Sequence, residues 1–138
     1  MGRILAIDFG YKRSGIAVTD PLKIAANALT TVDSKELILF LKNYFLKEEV
    51  ESIVVGMPKK LDGTDTNATK GVNELIISLK SIFVEKQIYF YDERFTSKIA
   101  MQTMIMAGTS KKYRREKGNI DKISAVIILQ DWMQSQGL

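Results

Sequence analysis

The sequence predicts an α/β fold in which a mixed β-sheet carries helices on both faces. Two features of the chain indicate this class. Short apolar runs bounded by turn residues are typical of buried strands, and longer segments with apolar residues at i, i+3 and i+4 are typical of amphipathic helices. The segments follow one another in the order three strands, helix, strand, helix, strand and further helices. That order favours a sheet with both antiparallel and parallel neighbours.

Five strands are predicted, at residues 4–7, 16–19, 24–31, 53–55 and 88–91. Short connections favour antiparallel pairing of the first three, whereas the fourth and fifth each follow a helix and should lie parallel to the first. The carboxyl ends of parallel strands share one edge of a sheet, where α/β proteins place their sites. Asp8, Gly56 and the pair Asp92 and Glu93 should therefore be neighbours. The aromatic residues 89–91 are expected in the strand core.

The helices follow from the 3.6-residue period. The first should begin near Asp33 or Ser34, because Asp33 followed three residues later by Glu36 resembles a capping box. Three further helices are predicted, over residues 72–83, 96–106 and 121–134. In the last of these, Asp121 shares a face with apolar residues that must pack inward, namely Ala125, Ile128, Leu129 and Trp132. Its carboxylate should therefore be aimed at the sheet.

Length and composition bound the class of protein. A chain of 138 residues with 46% hydrophobic and 26% charged residues fits one compact globular domain, here expected to span residues 1–138. No apolar run approaches the roughly 18 residues that a membrane span requires, and the first residues do not form a signal peptide. We therefore expect a cytoplasmic protein without a membrane partner.

Two absent residue types restrict the chemistry. The chain contains no cysteine and no histidine, which excludes disulfides, thiolate metal sites, cysteine nucleophiles, Ser/His dyads and zinc sites built on paired histidines. Catalysis would have to use Asp, Glu, Lys, Arg, Tyr, Ser or Thr. Carboxylate oxygens suit hard cations, so the composition favours Mg²⁺ or Mn²⁺ over softer metals.

The positive charge of the chain is concentrated in one segment. The net charge is +4. Residues 108–119 carry five positive charges against the single negative charge of Glu116, which equals the whole excess; the five are Lys111, Lys112, Arg114, Arg115 and Lys117. Such a segment is either an ordinary solvated loop or a contact surface for phosphates, and the concentration of charge favours the second interpretation.

Four segments together resemble a known family. They are DFGYKRSGIAVTD at 8–20, VGMPKKLDGT at 55–64, DERFTS at 92–97 and DKISAVIILQDW at 121–132. They occur in the order seen in YqgF proteins and span nearly the whole chain. The resemblance implies a ribonuclease-H-like fold related to the RuvC resolvases, with a five-stranded sheet of order 3-2-1-4-5 and helices on both faces.

The resemblance also implies a set of catalytic, metal-binding residues: Asp8, Glu93 and Asp121. Strand alternation points Asp92 and Glu93 to opposite faces, and the family motif favours Glu93. The implied activity is metal-dependent hydrolysis of phosphodiester bonds with Mg²⁺ or Mn²⁺. The implied substrate is the 5′ end of precursor 16S rRNA, in ribosome biogenesis. Resolution of four-way DNA junctions is the runner-up. The oligomeric state is open between a monomer and a weak homodimer.

Several basic residues are candidate substrate contacts. Lys12 and Arg13 lie in the glycine-bounded turn after Asp8 and could meet a phosphate, although an ordinary hairpin turn explains them equally well. Arg94 could hold a phosphate with two hydrogen bonds or orient a neighbouring carboxylate. Lys111, Lys112, Arg114 and Arg115 complete the set, as contacts to structured RNA or branched DNA.

Two other functions compete with a nuclease. Actin-like and sugar-kinase-like ATPases also open with a strand and an Asp-x-Gly turn like that of Asp8, but they need two such domains and this chain predicts one. A non-catalytic RNA-binding module or assembly factor would keep the basic segment. Three clustered acids argue against it, because they repel phosphate and give a binder no advantage.

Overall fold

A computed structural model describes residues 2–57, 69–92 and 119–138, and for residues 119–121 it describes the backbone alone. The strands are β1 (Arg3–Asp8), β2 (Arg13–Thr19), β3 (Ala26–Asp33), β4 (Val50–Met57) and β5 (Gln87–Asp92). The helices are α1 (Leu37–Lys47), α2 (Thr69–Ile82) and α3 (Asn119–Ser135), with a short 3₁₀ turn (Ser34–Glu36) before α1. The predicted helix at 96–106 lies outside the described residues. No helix among the described ranges is long and apolar enough to span a membrane.

The five strands form one sheet in the order β3-β2-β1-β4-β5. β1 and β2 pair antiparallel, as do β2 and β3, while β4 pairs parallel with both β1 and β5. The predicted class, strand order and parallel core are confirmed. β1, β4 and β5 therefore end at the same edge of the sheet, which we call the carboxyl edge.

Each face of the sheet packs against its own helical layer. Leu5 and Ile7 of β1 join a core cluster with α1 and α2, whereas Ile4 and Ala6 join a second cluster with α3. This is the two-residue alternation of a strand buried on both faces. Leu5 and Ile7 are fully buried, and burying such a side chain contributes about 1.5–3 kcal/mol. The two clusters hold β1 from both sides.

The direction of α3 follows from what its last turns contact. Met133 and Gln134 line one cleft with Ala26. Ala26 pairs with Thr19, whose hydroxyl accepts a hydrogen bond from the backbone N–H of Ile4 at 2.9 Å. The end of α3 therefore lies beside the start of β1. Its first turn, about 18 Å earlier along the helix axis, lies toward the carboxyl edge.

Three local expectations differ from the structure. β3 begins two residues later than predicted, because the Asp20 carboxylate accepts hydrogen bonds from the backbone N–H groups of Ile24 and Ala25. The capping box is wrong: Asp33 makes no side-chain cap hydrogen bond and ends β3 instead. Phe90 is 65% exposed rather than in the core, because β5 is an edge strand of the described sheet.

The Asp20 loop gives a test of this local structure. Hydrogen bonds from the backbone lower the pKa of the Asp20 carboxyl below its ordinary 3.8; the N–H of Ala25 contributes most, and together the bonds outweigh the opposing effect of desolvation. A lowered pKa stabilises the fold above the unfolded-state value, and the benefit disappears as the pH falls through the folded-state value. Asp20→Asn should therefore lower the urea midpoint at pH 7 but not at pH 2. A constant difference at both pH values would contradict this assignment.

Candidate active site at the carboxyl edge of the sheet

Asp8 is the last residue of β1 and pairs with Gly15 of β2. It is half-buried. Because side chains alternate along a strand, Asp8 lies on the face of Ile4 and Ala6, which pack against α3. The sequence predicted that this acid ends the strand, and the structure shows which face of the sheet it lies on.

A glycine lies beside Asp8 on that face. Val55 pairs with Ile7, so the next residue of β4, Gly56, is level with Asp8. Gly56 pairs in turn with Tyr91 of β5. In parallel strands, paired residues point to the same face, so Asp8, Gly56 and Tyr91 form a row on which only the outer two carry side chains. The predicted proximity of the strand ends is confirmed.

The other acids near this edge do not lie in that row, or their side chains are not described. Tyr91 packs against the α3 cluster, whereas Ile88 packs against the opposite cluster, so Asp92 shares the face of Ile88 rather than that of Asp8. Asp121 lies in the first turn of α3, toward the carboxyl edge, but its side chain is outside the described part. Glu93, Arg94 and the basic residues Lys111, Lys112, Arg114 and Arg115 also fall outside the described residues. Their predicted roles remain predictions.

The turn between β1 and β2 is held by one serine. The backbone N–H of Ser34 donates to the carbonyl of Lys12 at 3.0 Å, and the Ser34 hydroxyl donates to the carbonyl of Gly10. The hydroxyls of Ser14 and Ser34 are 2.7 Å apart. Since the single hydroxyl proton of Ser34 goes to Gly10, Ser14 must be the donor of this bond. The turn that follows Asp8 is thus fixed at three points.

The candidate phosphate contacts in this turn differ in exposure. Lys12 is exposed and lines a cleft of about 330 Å³ with Tyr11, Asp33 and Lys35. Arg13 is half-buried and pairs with Asp33 in the β2–β3 ladder. Lys12 is therefore open to an incoming ligand, while Arg13 lies deeper in the turn.

Aromatic side chains of the same turn pack on α2. The rings of Phe9 and Tyr11 meet edge to face, with centroids 5.8 Å apart. Both contact Gly71 in the first turn of α2, where an added Cβ would come within 2.9 Å of Phe9 and 2.8 Å of Tyr11. The sequence analysis missed Tyr11, Ser34 and Gly71. No local signal marked Gly71, because it lies directly before the helix predicted over residues 72–83.

Carboxylates dominate the charge near Tyr91. Burial raises the pKa of the Tyr91 phenol above its ordinary 10.0, and the negative charges of Asp131 and Asp92 raise it further. Burial also raises the pKa of the Asp131 carboxyl above 3.8. The surroundings of Tyr91 are therefore negative, with Asp131 in α3 and Asp92 on the other face of β5, and a phosphate there needs positive charge brought to it.

The strand order and the acid at the end of β1 define a ribonuclease-H-like fold. Solved structures share it: the RuvC structure of Thermus thermophilus matches with a TM-score of 0.58 at 12% identity, covering 98% of this chain and 96% of that one. The same RuvC in complex with a Holliday junction substrate matches with a TM-score of 0.58 at 13% identity, covering 99% of this chain and 97% of that one. At such identities the likeness concerns the fold alone.

A family model described as "RuvX: Holliday junction resolvase" matches residues 2–135, and the chain therefore belongs to this family. A protein of Flavobacterium johnsoniae named "Putative pre-16S rRNA nuclease" is 48% identical over 136 residues, covering 99% of each chain. A protein of Christiangramia forsetii with the same name is 50% identical over 133 residues, covering 96% of this chain and 98% of that one. The resemblance to YqgF proteins and the nuclease class are confirmed.

The serine contacts predict a measurable coupling. Ser34→Ala removes the acceptor of the buried Ser14 hydroxyl and the donor to Gly10, and an unsatisfied buried polar group costs about 1–3 kcal/mol. We expect Ser34→Ala to lower the free energy of unfolding by about that amount in urea titrations. The double variant Ser14→Ala/Ser34→Ala should lose less than the sum of the single losses. Strict additivity would mean that the two hydroxyls do not interact.

Proposed function

We propose that the chain is a divalent-metal-dependent nuclease that hydrolyses phosphodiester bonds at the carboxyl edge, with Asp8, Glu93 and Asp121 as its catalytic acids. One observation carries the proposal: Asp8 lies on the sheet face covered by α3, and the first turn of α3, which contains Asp121, lies toward the same edge. The family match over residues 2–135 and the nuclease names of the relatives support the activity.

The choice of Glu93 over Asp92 rests on strand alternation. Tyr91 is on the face of Asp8 and Asp92 is on the other, as their neighbours in the two core clusters indicate. A third acid for the face of Asp8 would come from the position after Asp92 if the alternation continues. This supports Glu93, in agreement with the family motif.

The residues fit a hard divalent cation. The proposed donors are all carboxylate oxygens, Asp8 is half-buried, and Gly56 beside it carries no side chain. Within residues 2–57, 69–92 and 122–138 no group of three acidic side chains is placed to hold a metal ion, and two of the proposed acids lie outside that part. Mg²⁺ or Mn²⁺ held there would supply the charge that makes water nucleophilic and neutralises a leaving oxygen.

The other residues bind and position the substrate. In the hydrolysis, a water oxygen forms a bond to phosphorus and gives up a proton, while the bond from phosphorus to the leaving ribose oxygen breaks and that oxygen takes up a proton. We assign Lys12 to a phosphate near this point, because it is exposed in a turn that Ser34 holds rigid. Arg13 has the same assignment from a deeper position. Arg94 is assigned to a phosphate or to orienting Glu93.

The proposed substrate is the 5′ end of precursor 16S rRNA, cleaved in the cytoplasm by residues 1–138 acting as one domain. Relatives 48% and 50% identical over almost their whole length carry pre-16S rRNA in their names, and the 5′ end is what the family resemblance implies. Four-way DNA junctions are the second candidate, which the description of the family model favours. A junction resolvase would need a homodimer, so that two sites address symmetric strands.

The first functional test is Asp8→Asn. Asparagine keeps the shape and one acceptor oxygen but removes the charge that a hard cation requires, so cleavage of labelled RNA with Mg²⁺ or Mn²⁺ should be lost. RNA binding without divalent cation should be equal or tighter, because repulsion of phosphate is smaller. The matched control is Asp20→Asn, the same change at the opposite edge of the sheet, which should cut at the wild-type rate near pH 7.

The panel of substrates separates the candidates. Precursor rRNA ends, unrelated single-stranded RNA and four-way DNA junctions are compared under identical conditions for the unmodified protein and both variants. Preferred cutting of precursor rRNA supports the first candidate, and preferred cutting of junctions supports the second. Unchanged cutting by Asp8→Asn would remove Asp8 from the site, and no cutting of any substrate would leave the non-catalytic RNA-binding module as the better account.

The second functional test concerns the basic segment. Replacing Lys111, Lys112, Arg114 and Arg115 by alanine should weaken RNA binding similarly for different sequences. The slope of log K against log salt should flatten by about 0.7 for each lost contact to a single-stranded phosphate, because fewer counterions are released. The control removes four lysines of the α1 and α2 layer, Lys42, Lys47, Lys80 and Lys86. Equal slopes for the two variants would mean that the segment is an ordinary solvated loop that does not contact phosphates.

A further inference from the structure

We propose that Tyr11 is a stacking platform for an unpaired base of a single-stranded RNA segment beside the cleavage point. The inference rests on the proposed function and deepens it, since it specifies the form of the substrate at the carboxyl edge. It begins from the exposure of the Tyr11 side chain. Tyr11 is 63% exposed, although its ring is seated against two neighbours.

The ring of Tyr11 packs against Phe9 and Gly71. Phe9 contacts it edge to face at 5.8 Å, and Gly71 of α2 has no side chain where the ring lies. A Cβ added at Gly71 would come within 2.8 Å of the Tyr11 ring, so this contact requires a glycine. A ring that is seated against two neighbours and is still 63% exposed can accept a flat base without first being ordered.

The backbone that carries the ring is also fixed. Ser34 donates hydrogen bonds to the carbonyls of Gly10 and Lys12, the residues on either side of Tyr11. A large aromatic exposed on a fixed turn gains nothing for folding from its exposure. Aromatic side chains in such positions are the common means by which proteins bind unpaired bases, because every base has a π-face.

The surroundings match a nucleotide in charge and size. The cleft of about 330 Å³ beside Tyr11 is lined by Lys12, Lys35 and Asp33, so it carries a net positive charge. That volume is at the low end for ligand pockets, suited to one base rather than to a duplex. Lys35 was not among the sequence candidates. It would share with Lys12 the phosphates on either side of the stacked base.

Distance along the chain limits where the base must be. Tyr11 is three residues after Asp8, and three residues of extended chain span about 11 Å at most. That length corresponds to about three stacked nucleotides of one strand. The bound base therefore lies within a few nucleotides of the bond that is cut. A continuous duplex keeps its bases paired and stacked, so the favoured substrate is single-stranded at that point.

The test measures stacking separately from cleavage. Asp8→Asn protein is mixed, without divalent cation, with single-stranded RNAs that carry one 2-aminopurine at successive positions, whose fluorescence is quenched when it stacks. We expect quenching at a limited set of positions. Adding Tyr11→Phe should preserve it, whereas adding Tyr11→Leu should abolish it and weaken binding roughly fivefold or more, the factor expected for loss of one base–aromatic stack. The control Phe90→Leu, which changes an aromatic residue 65% exposed on β5, should alter neither.

Two further measurements keep the outcomes distinct. Removing the base at the quenched position should weaken binding to protein with Tyr11 and have no further effect on Tyr11→Leu. Gly71→Ala should displace the ring and reduce quenching while the thermal midpoint stays close to that of the parent. Unchanged affinity on base removal at every position would overturn the proposal even if Tyr11→Leu failed to fold. Unchanged cutting by Asp8→Asn would instead contradict the proposed function and leave the stacking result standing.

Discussion

The pairing of β1 with β2 on one side and β4 on the other is the constraint on which the rest of the structure depends. Residues 4–7 of β1 are buried between helical layers on both faces of the sheet, so successive side chains must enter different core layers. Ile7 enters the layer of α1 and α2, and the next residue, Asp8, is turned to the layer of α3. A one-residue slip would exchange the two sets and place a carboxylate in the larger core. The apolar packing that stabilises the sheet thereby also fixes the direction of the acid.

The acidic residues proposed for the candidate site do not stabilise one another in the folded protein. The carboxylates that we propose for one face would repel each other in the absence of a cation. The cost is tolerated because the turn after Asp8 is fixed by other means: backbone bonds from Ser34 and the packing of Phe9 and Tyr11 on Gly71. Such rigidity is what a site needs in order to hold ligands without reorganising.

The sequence predicted the parts of this structure that follow from periodicity. The apolar run before Asp8 predicted a strand buried on both faces, and the i, i+3, i+4 pattern predicted α2 and α3. The order of these elements then predicted the parallel strands and the edge at which they end. Competing hydrogen bonds caused the errors. Asp20 takes backbone N–H groups that β3 would otherwise use, and Asp33 stays in a strand instead of capping a helix. The contact of Tyr11 with Gly71 joins residues 60 positions apart, and no local pattern encodes it.

Substrate choice cannot come from the sheet, because a RuvC with 12% identity has the same fold. It must come from the residues that surround the proposed site at the carboxyl edge. Two groups of such residues differ in which substrates they can distinguish. The basic residues that we propose as phosphate contacts, at 111–115, would attract any polyanion, RNA or DNA alike, and so would supply affinity without distinguishing substrates. A fixed aromatic ring such as Tyr11 separates unpaired from paired bases, because stacking requires a base that has left its duplex. If the proposed acids lie within a few nucleotides of that ring, the site favours single-stranded ends over four-way junctions, whose arms are paired up to the crossover.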